Sequence, residues 1–385
     1  MKKAESPLIL VEKERSKEYF PHISAPQIIK RDNDILILFN SESNTILYNG
    51  DKQLSLDLLD CARMAVDPDG NVYVAGIKKD ELCCYRVDSN LENSNTIYAD
   101  KQTERHPAVG LDIVWTEEGI VIATPEVGQR TLILHYPEKN LKSIIADHIL
   151  AHPLLSYDKN NKCLHLVFCE WNDYSAFYDV IYYMRSNDHG NTWTKIYGSS
   201  LPIPFECGKS DTEPDILSGR WQNVGAESNT YPHCLKLDSK GDPHILYSFC
   251  RPYFIAVGPA TTGAIEPYMR TKHVRWNGDE WVMSELSPDF SLDIAGGTFV
   301  IDDDQKIHLF AIFRKPDAHW LDLGYTYSED NGKTWKPVTS ITCDANSIEI
   351  HYVSPSAVCF NSLLHLVYTD IGKSPRERIY YNRIK

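Results

Sequence analysis

A strand–turn–strand unit recurs along the whole chain and constrains its fold more than any other feature. Each copy has an apolar run, a turn rich in Asp, Gly, Asn or Lys, and a second apolar run that often ends in an aromatic residue. The seven copies are Ile23–Phe39, Ala62–Ala75, Pro107–Thr124, Pro153–Phe168, Cys234–Phe249, Thr298–Phe313 and Val353–Tyr368. Such repetition is typical of architectures in which each unit buries an apolar face against its neighbours.

Further strand-like runs, such as Val180–Arg185 and Leu323–Tyr327, lie between the copies. They bring each unit to about four short strands, the composition of a propeller blade, and no segment has convincing helical periodicity. The sequence therefore predicts an all-β fold, a seven-bladed β-propeller that occupies residues 1–385 as one domain. The last unit supplies only three strands, so we expect an N-terminal strand at about residues 8–12 to complete it and remove an exposed edge.

Two octapeptides, Ser186–Trp193 and Ser328–Trp335, share the pattern S-x-D-x-G-x-T-W. In such a turn the Asp accepts hydrogen bonds from backbone amides and the Gly adopts a positive φ. The pattern matches the Asp-box turn that joins the third and fourth strands of a blade. These turns indicate the scaffold and carry no chemistry of their own.

Charge and hydropathy exclude several classes of partner. The formal net charge is −14, whereas nucleic acids and anionic membranes are bound by clustered Lys and Arg. No apolar stretch approaches the roughly 20 residues of a membrane-spanning helix. The apolar run Pro7–Val11 is shorter than the about 7–15 residues of a signal-peptide core, which predicts a cytoplasmic protein.

The ten cysteines include no C-x-x-C pair, so we expect reduced thiols and no zinc site of that type.

Position within a blade predicts which side chains converge, because the first strand lines the central channel and begins on the face where the second strand ends. Residues at the start of a first strand are His22, Arg63, His106, His152, His233 and His351. Residues at or after the end of a second strand are Glu170, Arg251, Arg314 and Asp370, with Tyr231, Tyr253 and Tyr352 beside them. Titratable groups that converge in a concavity form the default site hypothesis.

Other candidates have a structural explanation. Four histidines recur at the start of second strands, which favours a repeated packing role: His165, His244, His308 and His365. A hairpin turn explains Asp302–Asp304 better than a cation site does; we expect no required cofactor, although a structural or site cation is compatible with the sequence. Glu206–Tyr231 and Arg251–Lys272 exceed ordinary connections and are predicted to be long loops on the site face.

The central part of the chain resembles the Asp-box (BNR) repeat superfamily, and within it the branch of ulvan lyases, rhamnosyl-glucuronate lyases and rhamnosidases. The segments that carry the resemblance are Ala151–Asp158, Ile181–Arg185, the first octapeptide, Leu201–Pro204 and Thr230–His233. The resemblance implies a carbohydrate-active enzyme and an acidic oligosaccharide as substrate. It also implies His, Tyr and Arg as catalytic residues, and Tyr231, His233 and Arg251 match that set best.

Three functions follow as hypotheses. In β-elimination from a uronate, Arg251 or Arg314 neutralises the carboxylate, His233 or His152 is the base, and Tyr231 or Tyr253 protonates the leaving oxygen. We assign catalysis to His233, Arg251, Tyr231, His152 and His106, and substrate binding to His22, Arg63, Glu170, Tyr253, Arg314, His351 and Tyr352. A rhamnosidase- or sialidase-like hydrolase would use two carboxyl groups, for which Glu170 and Asp370 are placed. The third hypothesis is a non-catalytic sugar-binding propeller.

Overall fold

The apolar runs of the sequence form strands, and these strands pair into seven antiparallel sheets. The computed structural model describes residues 8–14, 25–32, 34–101, 110–126, 130–147, 150–172, 177–205, 207, 212–218, 228–250, 269–286, 293–314, 322–342, 355–370 and 376–384. Within these ranges the one helical element is a short 3₁₀ helix, Pro137–Lys139.

The first three sheets each contain four strands in sequence order. Blade 1 has β2 (Gln27–Arg31), β3 (Asp34–Asn40), β4 (Asn44–Tyr48) and β5 (Gln53–Asp57). Blade 2 has β6 (Asp60–Val66), β7 (Val72–Lys78), β8 (Glu81–Val87) and β9 (Ser94–Lys101). Blade 3 has β10 (Asp112–Thr116), β11 (Gly119–Glu126), β12 (Thr131–Tyr136) and β13 (Leu141–Asp147).

Blade 4 is extended by two additional short strands. It has β14 (Leu150–Asp158), β15 (Cys163–Asn172), β16 (Phe177–Ser186), β17 (Trp193–Thr194), β18 (Ser200–Leu201) and β19 (Asp215–Ile216). Blade 5 has β20 (Ser228–Leu237), β21 (Pro243–Cys250), β22 (Met269–Trp276) and β23 (Trp281–Glu285). Blade 6 has β24 (Asp293–Ile301), β25 (Ile307–Arg314), β26 (Asp322–Ser328) and β27 (Thr339–Ser340).

Blade 7 combines segments from distant parts of the sequence. It has β28 (Pro355–Phe360), β29 (Leu363–Asp370), β30 (Arg376–Ile384) and, at its outer edge, β1 (Leu8–Glu14). Strand β1 runs antiparallel to β30, with Leu8 opposite Tyr381 and Glu14 opposite Arg376. The outer edge of β30 is therefore paired, which removes a row of open backbone hydrogen-bonding groups.

The first strands of neighbouring blades contact one another in a closed ring, so the fold is the predicted seven-bladed propeller. Each of the seven sequence repeats supplies the first two strands of one blade. Hydrogen bonds to side chains also join the first strands of neighbouring blades. The backbone N–H of Met64 donates to Gln27 Oε1 at 2.6 Å, and that of Leu155 donates to Asp112 Oδ2 at 2.8 Å. These bonds fix the channel-lining strands of adjacent blades relative to each other.

Each of the seven blade interfaces has its own hydrophobic core among the described residues. Blades 3 and 4, for example, bury Leu134, Leu166 and the fully enclosed Trp193 against each other. Each sheet is covered on both faces by the neighbouring blades. Its middle strands therefore carry apolar side chains on both faces, and their sequences are continuous apolar runs rather than alternating ones.

The two S-x-D-x-G-x-T-W segments form matching turns between third and fourth strands. In the second turn, Ser328 Oγ and the amide and hydroxyl of Thr334 all donate to Asp330, at 2.6–2.9 Å. The hydroxyl and amide of Thr334 lower the pKa of Asp330 to about 2. In the first turn Asp188 receives the same bonds from Ser186 and Thr192. The turns are thus held by an ionised carboxylate.

The recurring second-strand histidines form a repeated hydrogen bond to the third strand. In three blades the histidine Nδ1 bonds a tyrosine hydroxyl: His165–Tyr183 at 2.7 Å, His308–Tyr325 at 2.8 Å and His365–Tyr381 at 2.7 Å. In blade 5 the corresponding partner of His244 is the ring of His273, at 3.0 Å. This repetition supports the packing role predicted for all four.

Two predicted loops are shorter than expected. Strand β19 and the start of β20 at Ser228 lie inside the predicted loop Glu206–Tyr231, and β22 begins at Met269, within the predicted loop Arg251–Lys272. The eight cysteines that the structure describes are free thiols. No helix in the described ranges is long and apolar enough to cross a membrane.

Candidate functional site

The starts of the first strands share one face of the propeller with the ends of the second strands. In blade 4, Leu150 at the start of β14 is opposite Glu170 near the end of β15. The octapeptide turn lies at the other end, because Ser186 pairs with Leu164 at the start of β15. We call the face that contains Leu150 and Glu170 the channel mouth.

Three rings from two blades meet edge to face at the channel mouth. His152 on β14 lies 5.0 Å from Tyr178 on β16 and 5.6 Å from Tyr231 on β20, and the two tyrosines are 4.9 Å apart, all between ring centroids. His152 and Tyr231 are half-buried, whereas Tyr178 is buried. Burial raises the pKa of Tyr178, so this phenol stays protonated. We call these three residues the aromatic cluster.

A β-bulge turns His152 into this cluster. The register of β14 and β15 shifts between Ala151 and Leu154, and His152 has a φ of 50°, a left-handed conformation that few non-glycine residues adopt. Cys61 and Gly296 have positive φ at corresponding bulges in blades 2 and 6. The bulge therefore recurs in several blades, and in blade 4 the residue at this position is His152, which has an ionisable side chain.

The ring of His233 lies on the opposite side of β20 from the aromatic cluster. Its Nε2 is 2.8 Å from Ser248 Oγ on β21. Gly296 on β24 lies against the face of the same ring, because a Cβ added at this glycine would lie 2.4 Å from Nε2 and 2.5 Å from Cε1. Strand β20 thus places one candidate side chain, Tyr231, toward blade 4 and the other, His233, toward blade 6.

Glu170 belongs to a buried polar group between blade 4 and the segment that precedes blade 5. The hydroxyl of Tyr182 lies 2.8 Å from Glu170 Oε2 and 3.0 Å from Glu213 Oε1. Glu213 is only 2% exposed, whereas Glu170 is half-buried. Backbone pairing of β19 with β16 holds the segment that carries Glu213. Burial and then the charge of Glu170 raise the pKa of Tyr182.

Arg63 supplies positive charge in the channel. Its Nη1 donates to the carbonyl oxygen of Ala62 at 2.9 Å, and its charge acts on Asp112 of the neighbouring blade. Burial raises the pKa of Asp112, although the hydrogen bond from the Leu155 amide and the charge of Arg63 act in the opposite direction. Arg63 is therefore a described cation near the predicted uronate-binding channel.

Several predicted site residues lie outside the described part of the chain: His22, His106, Arg251, Tyr253, His351 and Tyr352. Arg314 and Asp370 end β25 and β29, but their side chains are not described. Of the remaining predicted residues, His152 and Tyr231 contact each other. The other three lie on different strands: Arg63 on β6 of blade 2, Glu170 on β15 of blade 4 and His233 on β20 of blade 5. The roles predicted for all of them stay predictions.

Sequence reasoning missed three residues that contact the predicted ones, Tyr178, Ser248 and Gly296, and also Glu213, which shares the hydroxyl of Tyr182 with Glu170. The adjacent glycines Gly296 and Gly297 in a first strand were a usable signal, since a glycine within a strand often marks a bulge or a close approach. Tyr178 had no comparable signal. Glu213 lies within the segment Glu206–Tyr231, which was predicted to reach the site face, but nothing in the sequence distinguished this residue from its neighbours.

Neither a metal centre nor a second convincing site emerges from the described residues. They contain no group of three or more His, Cys, Asp or Glu side chains arranged to hold a metal ion. Asp302 accepts from the amide of Lys306 and pairs with His308, both at 2.9 Å, as expected of a hairpin turn. A groove of about 750 Å³ between blades 6 and 7 is lined by this turn and lies away from the channel mouth.

Comparison with known proteins gives one relative by sequence. No family profile matches the chain. An ulvan lyase of family PL25 from Pseudoalteromonas sp. (strain PLSV) is 25% identical over 154 residues, which cover 40% of this chain and 28% of that protein. The chain therefore aligns with less than a third of the relative's length.

Solved structures support the fold. The polysaccharide lyase Uly1 superimposes with a TM-score of 0.59 at 11% identity, covering 100% of this chain and 99% of that one. A PL25 ulvan lyase gives 0.54 at 13% identity, over 95% and 80%, and was also solved bound to -[GlcA(1-4)Rha3S]-. Hydrazine synthase from Kuenenia stuttgartiensis gives 0.54 at 10% identity, over 93% and 97%. Because so different an enzyme fits as well, the fold alone selects no chemistry.

Proposed function

We propose that this chain is a carbohydrate lyase that cleaves a uronate-containing oligosaccharide by β-elimination. The observation that carries the proposal is the aromatic cluster, in which the imidazole of His152 meets Tyr178 and Tyr231 at the channel mouth. The ulvan lyase relative supports it, as does the glucuronate–rhamnose ligand of the structurally similar ulvan lyase.

The reaction requires one base and one acid, and both types of group are present. A base removes the C5 proton of the uronate, the C4–O4 bond breaks as the C4=C5 double bond forms, and an acid protonates the departing O4. A histidine whose pKa is near neutral suits the first role. A protonated phenol suits the second. We assign His152 or His233 as the base and Tyr231 as the acid, with buried Tyr178 holding His152 and Tyr231 in place.

The growing charge on the uronate carboxylate needs a cation nearby. Arginine binds a carboxylate through two parallel hydrogen bonds, so we propose Arg251 or Arg314 for this role on sequence grounds. Arg63 adds positive charge within the channel, and we assign it to substrate binding with Glu170. His106 stays a catalytic candidate, and His22, Tyr253, His351 and Tyr352 stay binding candidates. With base, acid and cation all provided by side chains, the proposed reaction needs no cofactor.

Finer assignments are also part of the proposal. The two octapeptide turns and the central motifs support membership of the Asp-box superfamily, in the branch of ulvan lyases and rhamnosidases. We also propose a cytoplasmic location, where an oligosaccharide is a more accessible substrate than a polymer. The net charge of −14 disfavours nucleic acid and anionic membranes as partners.

Hydrolysis is the second candidate, because two carboxyl groups approach one tyrosine hydroxyl. Glycosidases use a pair of carboxyl groups on either side of the scissile bond. Glu213 is too deeply buried to contact a sugar, so Glu170 would need another partner, and Asp370 is the residue that sequence position provides. Elimination accounts for the described side chains with fewer requirements.

The deciding experiment incubates the purified protein with oligosaccharides that contain glucuronate linked to rhamnose. Elimination produces an unsaturated uronate that absorbs in the ultraviolet, whereas hydrolysis produces new reducing ends without that absorbance. We expect the absorbance, and we expect His233→Ala and Arg251→Ala to reduce its rate strongly. Reducing ends alone would establish hydrolysis. Binding without either product would establish a sugar-binding propeller. Wild-type rates in these two variants and in His152→Ala would exclude the proposed site.

A further inference from the structure

The imidazole of His233 is contacted by two small residues from different blades, one at its Nε2 edge and one over its face. Ser248 on β21 places its hydroxyl oxygen 2.8 Å from Nε2, and Ser248 is fully buried. Gly296 on β24 lies against the face of the ring, since a Cβ there would lie 2.4 Å from Nε2, 2.5 Å from Cε1 and 2.7 Å from Cδ2. Real Cβ atoms do not come this close to other heavy atoms, so only glycine leaves room for the ring in this position.

The adjacent glycine serves a different purpose. A Cβ at Gly297 would lie 2.1 Å from the carbonyl oxygen of Phe310, and its three nearest neighbours are all backbone atoms of Phe310 and Ala311. Both glycines have positive φ, 115° at Gly296 and 141° at Gly297, so a side chain is strained at either position. The two therefore share a backbone requirement and differ in what a side chain would displace: the paired strand at Gly297, and the histidine ring at Gly296.

We infer that Gly296 and Ser248 are positioning residues that hold the ring of His233 in a single orientation at the channel mouth. The inference rests on the proposed function only in giving His233 a catalytic task. The hydroxyl of Ser248 can donate to Nε2 or accept from it, so this bond fixes the direction in which Nε2 points whichever tautomer is present.

A double-mutant cycle on stability tests the contact with Gly296 without reference to activity. Gly296→Ala is compared in the wild-type chain and in His233→Ala, where the obstructing ring is absent. We expect the rise in the unfolding equilibrium constant caused by Gly296→Ala to be roughly 5- to 100-fold smaller in the His233→Ala background. Gly297→Ala is the matched control, and its effect is expected to be the same in both backgrounds. Equal effects of Gly296→Ala in the two backgrounds would overturn the inference for Gly296.

Ser248 is tested by nitrogen-15 NMR of the His233 side chain, with Ser248→Ala and Ser248→Thr as the pair of variants. Loss of the hydroxyl is expected to shift the Nε2 resonance, because Nε2 loses its hydrogen-bond partner, and Thr is expected to restore the wild-type shift. In the lyase assay, Ser248→Ala is expected to lower kcat and displace its pH profile, with little change in KM. Unchanged nitrogen shifts in Ser248→Ala would overturn the inference for Ser248.

The proposed function and the positioning role of Gly296 and Ser248 can be refuted independently of each other. If the wild-type protein forms no product from any uronate oligosaccharide, the proposed function is wrong, yet the stability cycle and the NMR shifts still decide whether Gly296 and Ser248 position His233. If elimination is observed but the cycle shows no coupling and the shifts do not move, the function stands and the positioning role is wrong.

Discussion

The ring of His152 meets the ring of Tyr231 edge to face with 5.6 Å between centroids, although the two residues belong to different blades. Aromatic pairs in this geometry attract each other by roughly 0.5–1.5 kcal/mol beyond their burial. Since Tyr178 contacts both rings, the relative position of blades 4 and 5 determines whether the candidate acid and base face a common substrate.

His152→Phe tests the chemical role of the imidazole separately from its packing. Phenylalanine keeps an aromatic ring against Tyr178 and Tyr231 but cannot transfer a proton. If His152 is the base, we expect the rate of elimination to fall by roughly 10²- to 10⁴-fold, with a smaller loss of stability than in His152→Ala. The rate of ultraviolet absorbance increase and chemical denaturation measure the two effects. A His152→Phe protein with normal activity would leave His233 as the sole base candidate.

Tyr182→Phe and Tyr183→Phe form a matched pair on one strand. Both tyrosines are fully buried, but the hydroxyl of Tyr182 contacts Glu170 and Glu213 while that of Tyr183 bonds His165. Each substitution removes a buried hydrogen bond and is expected to destabilise by about 1–3 kcal/mol. Only Tyr182→Phe is expected to raise KM, because it releases Glu170 at the channel mouth. Equal KM values in the two variants would argue against a substrate-binding role for Glu170.

Acid should destabilise the protein in part through His165. Burial, followed by the charge of Arg185, lowers the pKa of His165 from 6.5 to about 4. Between these values the unfolded chain binds the proton more readily than the folded one, so stability falls as the pH drops from about 6.5 to 4. The linked loss is roughly 2–4 kcal/mol.

Urea unfolding at several pH values measures this dependence. His165→Gln should lower the stability at neutral pH, because the bond to Tyr183 changes, but it should flatten the curve between pH 6.5 and 4. A slope equal to that of the wild type would show that His165 does not contribute. Some slope is expected to persist, since burial also lowers the pKa values of His308 and His365.

Asp330→Ala removes the carboxylate at the centre of the second octapeptide turn. The variant loses the bonds from Ser328 and Thr334, and we expect a loss of roughly 1 kcal/mol in the free energy of unfolding. Activity is expected to be unchanged, because the turns lie at the end of the blade opposite the channel mouth. Lys333→Ala, an exposed side chain of the same turn, is the control. A large fall in kcat for Asp330→Ala at preserved stability would contradict this placement.

Removal of metal ions tests the proposal that side chains alone perform the reaction. Prolonged treatment with a chelator is expected to leave the rate of elimination and the unfolding transition unchanged. Activity that is lost on treatment and restored by one divalent cation would require a metal site. Comparison of the treated protein with an untreated sample by elemental analysis completes the measurement.

The blade architecture could be predicted from the sequence because each repeat is local: an apolar strand, a short turn and its antiparallel partner. The same reasoning placed His152 and His233 at the starts of first strands, and Tyr231 beside them at the end of a predicted loop. It could not predict that His152 contacts Tyr178, since this contact depends on a bulge with an unusual backbone conformation. Nor could it predict Glu213, whose approach to Tyr182 depends on the pairing of the two-residue strand β19 with β16.

The pairing of β1 with β30 has a consequence for biosynthesis. Six blades can pair their strands as they leave the ribosome, because each is built from one continuous stretch of sequence. Strand β1 emerges early and its partner β30 emerges late, so β1 remains an unpaired apolar segment for nearly the whole of translation. Contacts between such distant residues are slow to form. We therefore expect closure of the ring to be the last step of folding, and a nascent chain with six blades to be the species most in need of protection from aggregation.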